Sequence, residues 1–260
     1  MPVNAYVVET QRAVVIIDST LTVSDGRALR SIVGDIGKPL EAILVTHAHP
    51  DHYGGAAEII SDAQVPFVAA GGVDAVIRRD DEVKEQIIRP MFGDEWPHER
   101  VFPNHTINDG ETVSFDGVPF TVIDLGPGES PHDSVWLVGD DRKLAFAGDS
   151  AYEHVHCYLA DGFWESWLAN IGRLRSELPT AAEVYFGHGA PTSSPPFDWQ
   201  EDYIATFVDA IRTADWSDPE AAKAAVVNAM TDYLPAGDLQ FLMELSVEPV
   251  ARQLGLIGAG

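Results

Sequence analysis

The chain has 260 residues, which suits one large domain or one core with an added subdomain, and its 45% hydrophobic content excludes wholesale disorder. A formal net charge of −25 makes the surface repel phosphate backbones, so we do not expect nucleic acid as a partner. Cys157 is the single cysteine, which excludes an intrachain disulfide. The sequence has no apolar run long enough to span a membrane and no N-terminal signal segment, so we expect a cytoplasmic protein with no membrane partner.

The first part of the chain alternates short β runs with helical segments. Residues 4–10 and 13–18 predict a hairpin, and apolar spacing predicts a helix over residues 27–36 that ends at Gly37. The next predicted elements are strands over residues 41–46 and 65–70, helices over residues 53–62 and 73–89, and a long loop over residues 90–104. Long loops inside compact domains are often functional.

The second part predicts more strands and then a helical tail. Strands are predicted over residues 111–115, 119–125, 134–138, 143–147 and 183–186, with an amphipathic helix over residues 163–178. After Pro196 we predict helices over residues 198–213, 219–233 and 237–256, the last of them interrupted at Pro249. This order predicts an α/β (α+β) fold of two packed sheets with helices outside.

The most informative segment follows the predicted strand 41–46. Four side chains that can bind metal, His47, His49, Asp51 and His52, lie within six residues. Imidazole and carboxylate groups are the usual ligands of zinc and related metals. Asp51 alone would suffice to cap the following helix, but a cap requires no histidines. The cluster therefore predicts a metal site.

Further candidate ligands stand just past the ends of other short apolar strands, in loops rich in glycine. They are Glu129 and His132 after the run 120–125, Asp149 after 144–147, and His188 after 184–186. If these strands end on the same side of the core, their loops meet there, which is how β-rich scaffolds build sites.

These motifs resemble those of the metallo-β-lactamase superfamily. The family pattern H-x-H-x-D-H is followed by a ligand in a Gly-Pro-Gly loop, then by Gly-Asp and Gly-His-Gly, and this sequence has each of them. The segments Asn4-Ala5-Tyr6 and Ile17-Asp18-Ser19 also resemble the family's first hairpin, so the resemblance spans about residues 4–190. It implies an αββα sandwich over residues 1–196 with metals at one sheet edge, and a C-terminal helical extension over residues 197–260 packed on it.

The resemblance also implies a ligand set for two metal ions, for which Zn²⁺ is the first expectation. One ion would take His47, His49 and the residue after Gly-Pro-Gly, the other would take Asp51, His52 and His188, and Asp149 would bridge them. The family usually has a histidine where this chain has Glu129, and His132 lies three residues further on. Three interpretations stay open: Glu129 is the ligand, His132 reaches in with Glu129 behind it, or this site is incomplete. A glutamate ligand would make iron or manganese more acceptable.

A bridging aspartate in place of a cysteine resembles the glyoxalase II and lactonase branches more than the true β-lactamases. The resemblance therefore implies a hydrolase in which a metal-bound hydroxide attacks an ester, lactone, thioester or amide bond of a small molecule. Asp51 would orient the hydroxide and carry its proton, and Tyr53 or Tyr152 would support the oxyanion. Because Lys and Arg total only 16, we expect a neutral or mildly polar substrate.

Other functions compatible with the fold are a non-haem iron oxidoreductase, a β-lactamase-type amide hydrolase, and a non-catalytic or nuclease-like protein. The acidic surface argues against nuclease action. The helices after Pro196 have apolar residues to bury, so they either close the pocket or form the interface of a homodimer.

Overall fold

Two five-stranded β-sheets pack against each other in the computed structural model, which describes residues 2–60, 65–180, 182–235 and 237–258. Side-chain alternation along the second sheet explains its position. Trp136 and Val138 pack with residues of the first sheet, whereas their neighbours Val135 and Leu137 pack with the C-terminal helices. Because successive side chains of a strand point to opposite faces, a strand that is apolar throughout is buried on both sides.

The first sheet has the strand order β1-β2-β3-β4-β5, in which only the β1–β2 hairpin is antiparallel. Its strands are β1 (Tyr6–Glu9), β2 (Val14–Ile17), β3 (Leu40–Leu44), β4 (Phe67–Ala70) and β5 (His105–Ile107). The predicted strands match the first four. Strand β5 was not predicted, since three residues are too few to show an alternating pattern.

The second sheet has the order β10-β9-β8-β7-β6, with only β9 and β10 parallel. Its strands are β6 (Thr112–Phe115), β7 (Val118–Gly126), β8 (Asp133–Val138), β9 (Leu144–Gly148) and β10 (Glu183–Phe186). All five correspond to predicted strands. The chain therefore forms the mixed α/β fold of two sheets that the order of elements predicts.

Helices cover the outer faces of the two sheets. They are α1 (Val23–Ile36), α2 (Pro50–Tyr53), α3 (Ala56–Ile59), α4 (Gly71–Phe92), α5 (Trp164–Glu177), α6 (Phe197–Thr213), α7 (Pro219–Tyr233) and α8 (Gln240–Gln253). The ends of α1 are set by its sequence: the Thr22 hydroxyl accepts from the Asp25 N–H, and Gly37 adopts φ 73°. No helix among the described residues is long and apolar enough to cross a membrane.

Three predicted elements differ from the structure. The helix predicted over residues 53–62 is two short helices, α2 and α3, and its end at residues 61–62 lies outside the described residues. The predicted loop 90–104 begins inside α4, which continues through Pro90, and then forms a 3₁₀ turn, Gly93–Glu95. Helix α8 is not interrupted at Pro249, because the buried side chains around it hold the helix against the core.

The C-terminal helices share one hydrophobic core with the outer face of the second sheet and with α5. Phe207 and Val208 on α6, Met230 on α7 and Val247 on α8 lie in the same buried cluster as Leu137 of β8. The division into residues 1–196 and 197–260 stays a prediction, but the two segments bury their apolar side chains together. This packing brings α8 towards the loops that follow the strands.

Candidate metal centre

Loops that follow four strands meet at one edge of the sandwich. The segment from His47 to His52 follows β3, Glu129 follows β7, Asp149 follows β9 and His188 follows β10. An isolated β-bridge pairs His47 with Asp133, which joins the loop after β3 to the start of β8. The structure therefore confirms the prediction that these loops meet at one edge of the core, because the strands before them end there.

Three side chains form the first group of candidate ligands. His47 Nε2 lies 3.6 Å from Glu129 Oε2, and His49 Nδ1 lies 2.9 Å from the same oxygen. All three ligand atoms lie within 4.8 Å of one another. Glu129 is buried, and its backbone N–H donates to Asp133 Oδ2 at 2.6 Å, which fixes the turn that carries it.

The second group consists of Asp51, His52 and His188. Asp51 Oδ2 lies 3.7 Å from His52 Nε2 and 3.5 Å from His188 Nε2. Asp149 lies between the two groups: its Oδ2 is 3.2 Å from His188 Nε2 and 3.9 Å from His47 Nε2, and its Oδ1 is 3.5 Å from His52 Nε2. This is the position that a bridging carboxylate requires.

The spacing of the ligand atoms in the second group fits metal ligands better than hydrogen-bonding partners. Two ligand atoms on one tetrahedral zinc ion, each at about 2.0–2.1 Å, lie about 3.3 Å apart. Separations of 3.5–3.7 Å between the Asp51 oxygen and the two imidazole nitrogens are close to that value and are too long for hydrogen bonds.

Four buried ligand atoms also have no partner with hydrogen-bond geometry among the described residues. They are His47 Nε2, His52 Nε2, Glu129 Oε2 and Asp149 Oδ1. The 2.9 Å contact of Glu129 Oε2 with His49 Nδ1 lacks that geometry. Buried polar atoms are nearly always paired, so four unpaired atoms at one place indicate a missing partner. A pair of cations would satisfy all of them, and the residues present therefore fit a metal centre.

Each imidazole is also oriented by a bond to its other ring nitrogen. The partners are Asp18 for His52 at 2.7 Å, Asp161 for His49 at 3.0 Å, the Pro2 carbonyl for His188 at 2.7 Å, and the Thr46 hydroxyl for His47 at 3.1 Å. Ligating histidines characteristically carry such a partner on the ring nitrogen that does not face the metal. The arrangement fixes which nitrogen of each histidine points into the centre.

Burial and neighbouring charges shift the pKa values of the candidate ligands strongly. Burial raises the pKa of Glu129 to about 8, with His49 opposing the shift, and burial lowers the pKa of His47 well below its usual value. For Asp149, burial is outweighed by His188 and His52, which hold its pKa well below the ordinary range. Three buried carboxylates so close together need compensating positive charge, which bound dications would supply.

Glycine is required at Gly187 because there is no room for a side chain. A Cβ at Gly187 would overlap with Asp149 Oδ1 and would lie only 2.6 Å from His52 Cε1. Gly148 is similar: it adopts φ 50°, and a Cβ there would meet the Thr46 hydroxyl. The glycines of the Gly-Asp and Gly-His-Gly motifs therefore let the backbone approach the ligands.

The chain matches the sequence model of the metallo-beta-lactamase superfamily over residues 1–188. It belongs to that superfamily.

Similar proteins include relatives with and without a named activity. The chain is 31% identical over 216 residues to the uncharacterized protein YobT of Bacillus subtilis, covering 75% of this chain and 86% of that protein. It is 28% identical over 247 residues to a hydroxyacylglutathione hydrolase of Xylella fastidiosa, covering 90% and 78% of the two chains. A beta-lactamase domain protein from Burkholderia ambifaria superposes with a TM-score of 0.67 at 17% identity, covering 98% and 81%. That structural similarity confirms the predicted metallo-β-lactamase sandwich with its C-terminal helices.

The structure separates Glu129 from His132, the two candidates for the position where this superfamily usually has a histidine. Glu129 lies beside His47 and His49, whereas the His132 ring packs against Gly72 with its Nε2 2.6 Å from Asp124 Oδ1. The turn held by Asp133 directs the first side chain inward and the second outward. The interpretation in which His132 reaches into the centre is incompatible with this geometry.

The two tyrosines considered for oxyanion support have different surroundings. The Tyr152 hydroxyl lies 2.9 Å from Asp149 Oδ2 and 3.0 Å from Glu129 Oε1, and burial raises its pKa so far that it stays protonated and donates to one of them. Tyr53 is buried on α2, with Lys84 over its ring, and it does not line the cavity described below. The structure therefore brings Tyr152 to the centre and leaves Tyr53 outside it.

A cavity of about 610 Å³ opens onto the metal centre. Its walls come from α4, from the loop that precedes α5, and from the start of α8. Its floor contains Tyr152 and candidate ligands from both groups, namely His49, Asp51, Glu129, Asp149 and His188. Cavities of this size bind small molecules. Helix α8 thus contributes to the pocket, which is one of the two roles expected for the C-terminal extension.

Asp161 and Gln200 are site residues that the sequence did not reveal. Asp161 accepts from His49 across 112 positions of the chain, and the Gln200 side chain accepts from the Tyr152 N–H at 2.9 Å. Neither residue belongs to a motif. Asp18 was visible only as part of the segment that resembles the family's first hairpin.

Proposed function

We propose that this protein is a two-metal hydrolase that cleaves an ester, lactone, thioester or amide bond of a small molecule. The observation that carries the proposal is the pair of three-residue ligand groups, with Asp149 between them, at the floor of a cavity of about 610 Å³. The similarity to hydroxyacylglutathione hydrolases supports a hydrolytic reaction.

In this proposal His47, His49 and Glu129 would hold one cation, Asp51, His52 and His188 would hold the other, and Asp149 would contribute to both. The donor atoms are nitrogen and oxygen, a set that suits Zn²⁺ and also accommodates iron or manganese. Bound cations of this kind lower the pKa of a water molecule towards about 7 and polarise a substrate carbonyl.

The chain's own residues supply positioning and proton transfer. Asp51 lines the cavity and accepts the proton of the attacking water, which it then returns to the leaving group. The Tyr152 hydroxyl lies between the carboxylates of Glu129 and Asp149 and positions one of them by donating a hydrogen bond to it. A bound substrate that covers the apolar walls would limit the access of bulk water to these groups.

Substitution of His47 or Asp149 by alanine tests the proposal. Each variant should lose metal and the hydrolysis of a panel of lactones, thioesters, aryl esters and β-lactams, with a circular dichroism spectrum like that of the original protein. His98→Ala is the matched control, since this histidine is exposed and lies outside the candidate ligand groups. Full activity of Asp149→Ala would refute the proposed site.

A second function is favoured by one feature, the combination of two histidines and one glutamate in the first group. This two-histidine, one-carboxylate set is characteristic of non-haem iron enzymes. Elemental analysis of protein purified without added metal separates the two functions. Stoichiometric iron together with no hydrolysis of the panel would favour an iron oxidoreductase.

A further inference from the structure

One wall of the cavity is an apolar stripe that solvent reaches. Val83, Ile87 and Met91 lie four residues apart on α4, so they share one face of that helix. Their exposed fractions are 56%, 58% and 71%, unusually high for large apolar side chains that lie together. The three span about 12 Å along the helix axis at 1.5 Å per residue.

A second element contributes apolar side chains to the same cavity. Phe241 and Leu242 at the start of α8 line it, and Phe163 does so just before α5. Phe241 is itself 45% exposed. Apolar residues from three separate parts of the chain therefore surround the space above the metal centre.

The two cations in the cavity wall are already engaged by other groups of the protein. Arg79 forms two hydrogen bonds of 2.6 Å with the Asp80 carboxylate, and the Lys84 ammonium donates to the Ala48 carbonyl. Asp161, the other acidic wall residue, adds a further negative charge. Apart from the proposed metal ions at the floor, a negatively charged substrate group in the described part of the cavity would meet the carboxylates of Asp80 and Asp161 and two cationic side chains that already have partners.

We propose that the substrate of this site is a neutral molecule with an extended apolar chain next to the bond that is cleaved. The inference rests on the proposed function for the position of that bond, at the floor of the cavity. Lys84, the neighbour of Val83, donates to the Ala48 carbonyl between His47 and His49, and the α4 stripe lines the same cavity as the ligands. A bound substrate whose chain lies along the stripe would therefore contact both. Burying that chain removes water from Val83, Ile87 and Met91.

A series of para-nitrophenyl esters tests the inference with metal-loaded protein. We expect kcat/KM to rise at least about tenfold from acetate to decanoate, since each methylene that is fully buried contributes up to about fourfold. The monosuccinate ester should react at least about tenfold more slowly than the pentanoate of similar length, because its carboxylate would lose water against the apolar stripe and lie near the acidic wall residues Asp80 and Asp161. Ile87→Asn and Phe241→Asn should each lower the decanoate-to-acetate ratio.

Ile32→Asn is the control for these variants. Ile32 is 48% exposed on α1 and does not line the cavity, so its replacement should leave the ratio unchanged. Equal kcat/KM for acetate and decanoate, or a monosuccinate as good as the pentanoate, would overturn the inference.

Binding of methyl nonyl ketone, a neutral long-chain compound that cannot be hydrolysed, distinguishes this inference from the proposed function. Ketone binding that Ile87→Asn weakens, together with no hydrolysis of any ester, would support the apolar site and refute the hydrolase. Hydrolysis of the acetate without ketone binding would support the hydrolase and refute the apolar site. Light scattering adds one outcome: a dimer that Ile87→Asn dissociates, with no chain-length preference, would assign the stripe to an interface between copies and overturn the inference.

Discussion

Replacement of Asp161 by asparagine should weaken the first metal site without removing a ligand. The asparagine keeps an oxygen that can accept from His49 Nε2, at 3.0 Å in the present structure, but it lacks the negative charge. Loss of such a partner typically lowers metal affinity by about 10- to 100-fold. Since the Asp161 side chain is 25% exposed, solvent screens part of its charge, and we expect the lower end, about tenfold or about 1.4 kcal/mol.

Asp18→Asn is the matched variant for the second site and should have the larger effect. Asp18 is buried, and its oxygens accept from His52 Nδ1 at 2.7 Å and from the Thr46 N–H at 2.8 Å. With little solvent screening, a loss of about 100-fold, or about 2.7 kcal/mol, is expected. The difference between the variants follows mainly from the deeper burial of Asp18.

Competition with a fluorescent chelator measures both affinities, and elemental analysis gives the metal content. Asp161→Asn should weaken one of two bound ions, and Asp18→Asn should weaken the other by a larger factor. Asp141→Asn, in the exposed turn before β9, is the control with the same chemical change. If both variants bind two ions as tightly as the original protein, the inference that these carboxylates support the ligands is wrong.

The remaining predictions concern Glu129 and Gln200. Glu129→Gln should lose about one metal ion per chain because it removes the carboxylate of the first group, whereas His132→Ala should keep the full content; the opposite result by elemental analysis would restore His132 as the ligand. Gln200→Leu leaves the buried Tyr152 N–H without its acceptor, which should lower the free energy of unfolding by about 1–3 kcal/mol in urea denaturation. The same change at the exposed Gln11 should have no measurable effect, and equal stability of the two variants would contradict the assignment.

The strands and the candidate ligands could be predicted because their signals are local. A run such as Val14–Ile17 is apolar at every position, as a strand buried on both faces must be. The ligands from His47 to His52 lie within six residues, so their spacing is visible without any knowledge of the fold. Strand ends then bring Glu129, Asp149 and His188 to the same edge.

The errors arise where tertiary packing overrides a local rule. Pro90 and Pro249 each remove one helical hydrogen bond, and on local grounds each predicts the end of a helix. Both helices continue through the proline. In α8 the buried side chains of Val247 and Val250 flank Pro249, and their burial outweighs the lost bond. The periodicity of the sequence does not show whether side-chain burial outweighs the hydrogen bond lost at a proline.

The residues that support the ligands were not predictable because each is a single side chain reaching across the fold. Asp161 lies 112 positions from His49, and Gln200 lies 48 positions from Tyr152. One aspartate among many carries no spacing signal. Only the packing of the loop before α5 and of helix α6 reveals which acidic or amide side chain is used.

The C-terminal helices act on the centre in two separable ways. Gln200 on α6 and Ser246 on α8 accept from the N–H groups of Tyr152 and Leu159, so they hold the loop that follows the Asp149 position. Phe241, one turn earlier on α8, instead lines the cavity and belongs to neither ligand group. Because the side chains that shape the apolar wall are distinct from those that fix the loop, a change at Phe241 can alter which substrate fits while the ligand geometry stays the same. Substrate preference in this protein is therefore expected to depend on α4 and α8, and the reaction on the loops after the strands.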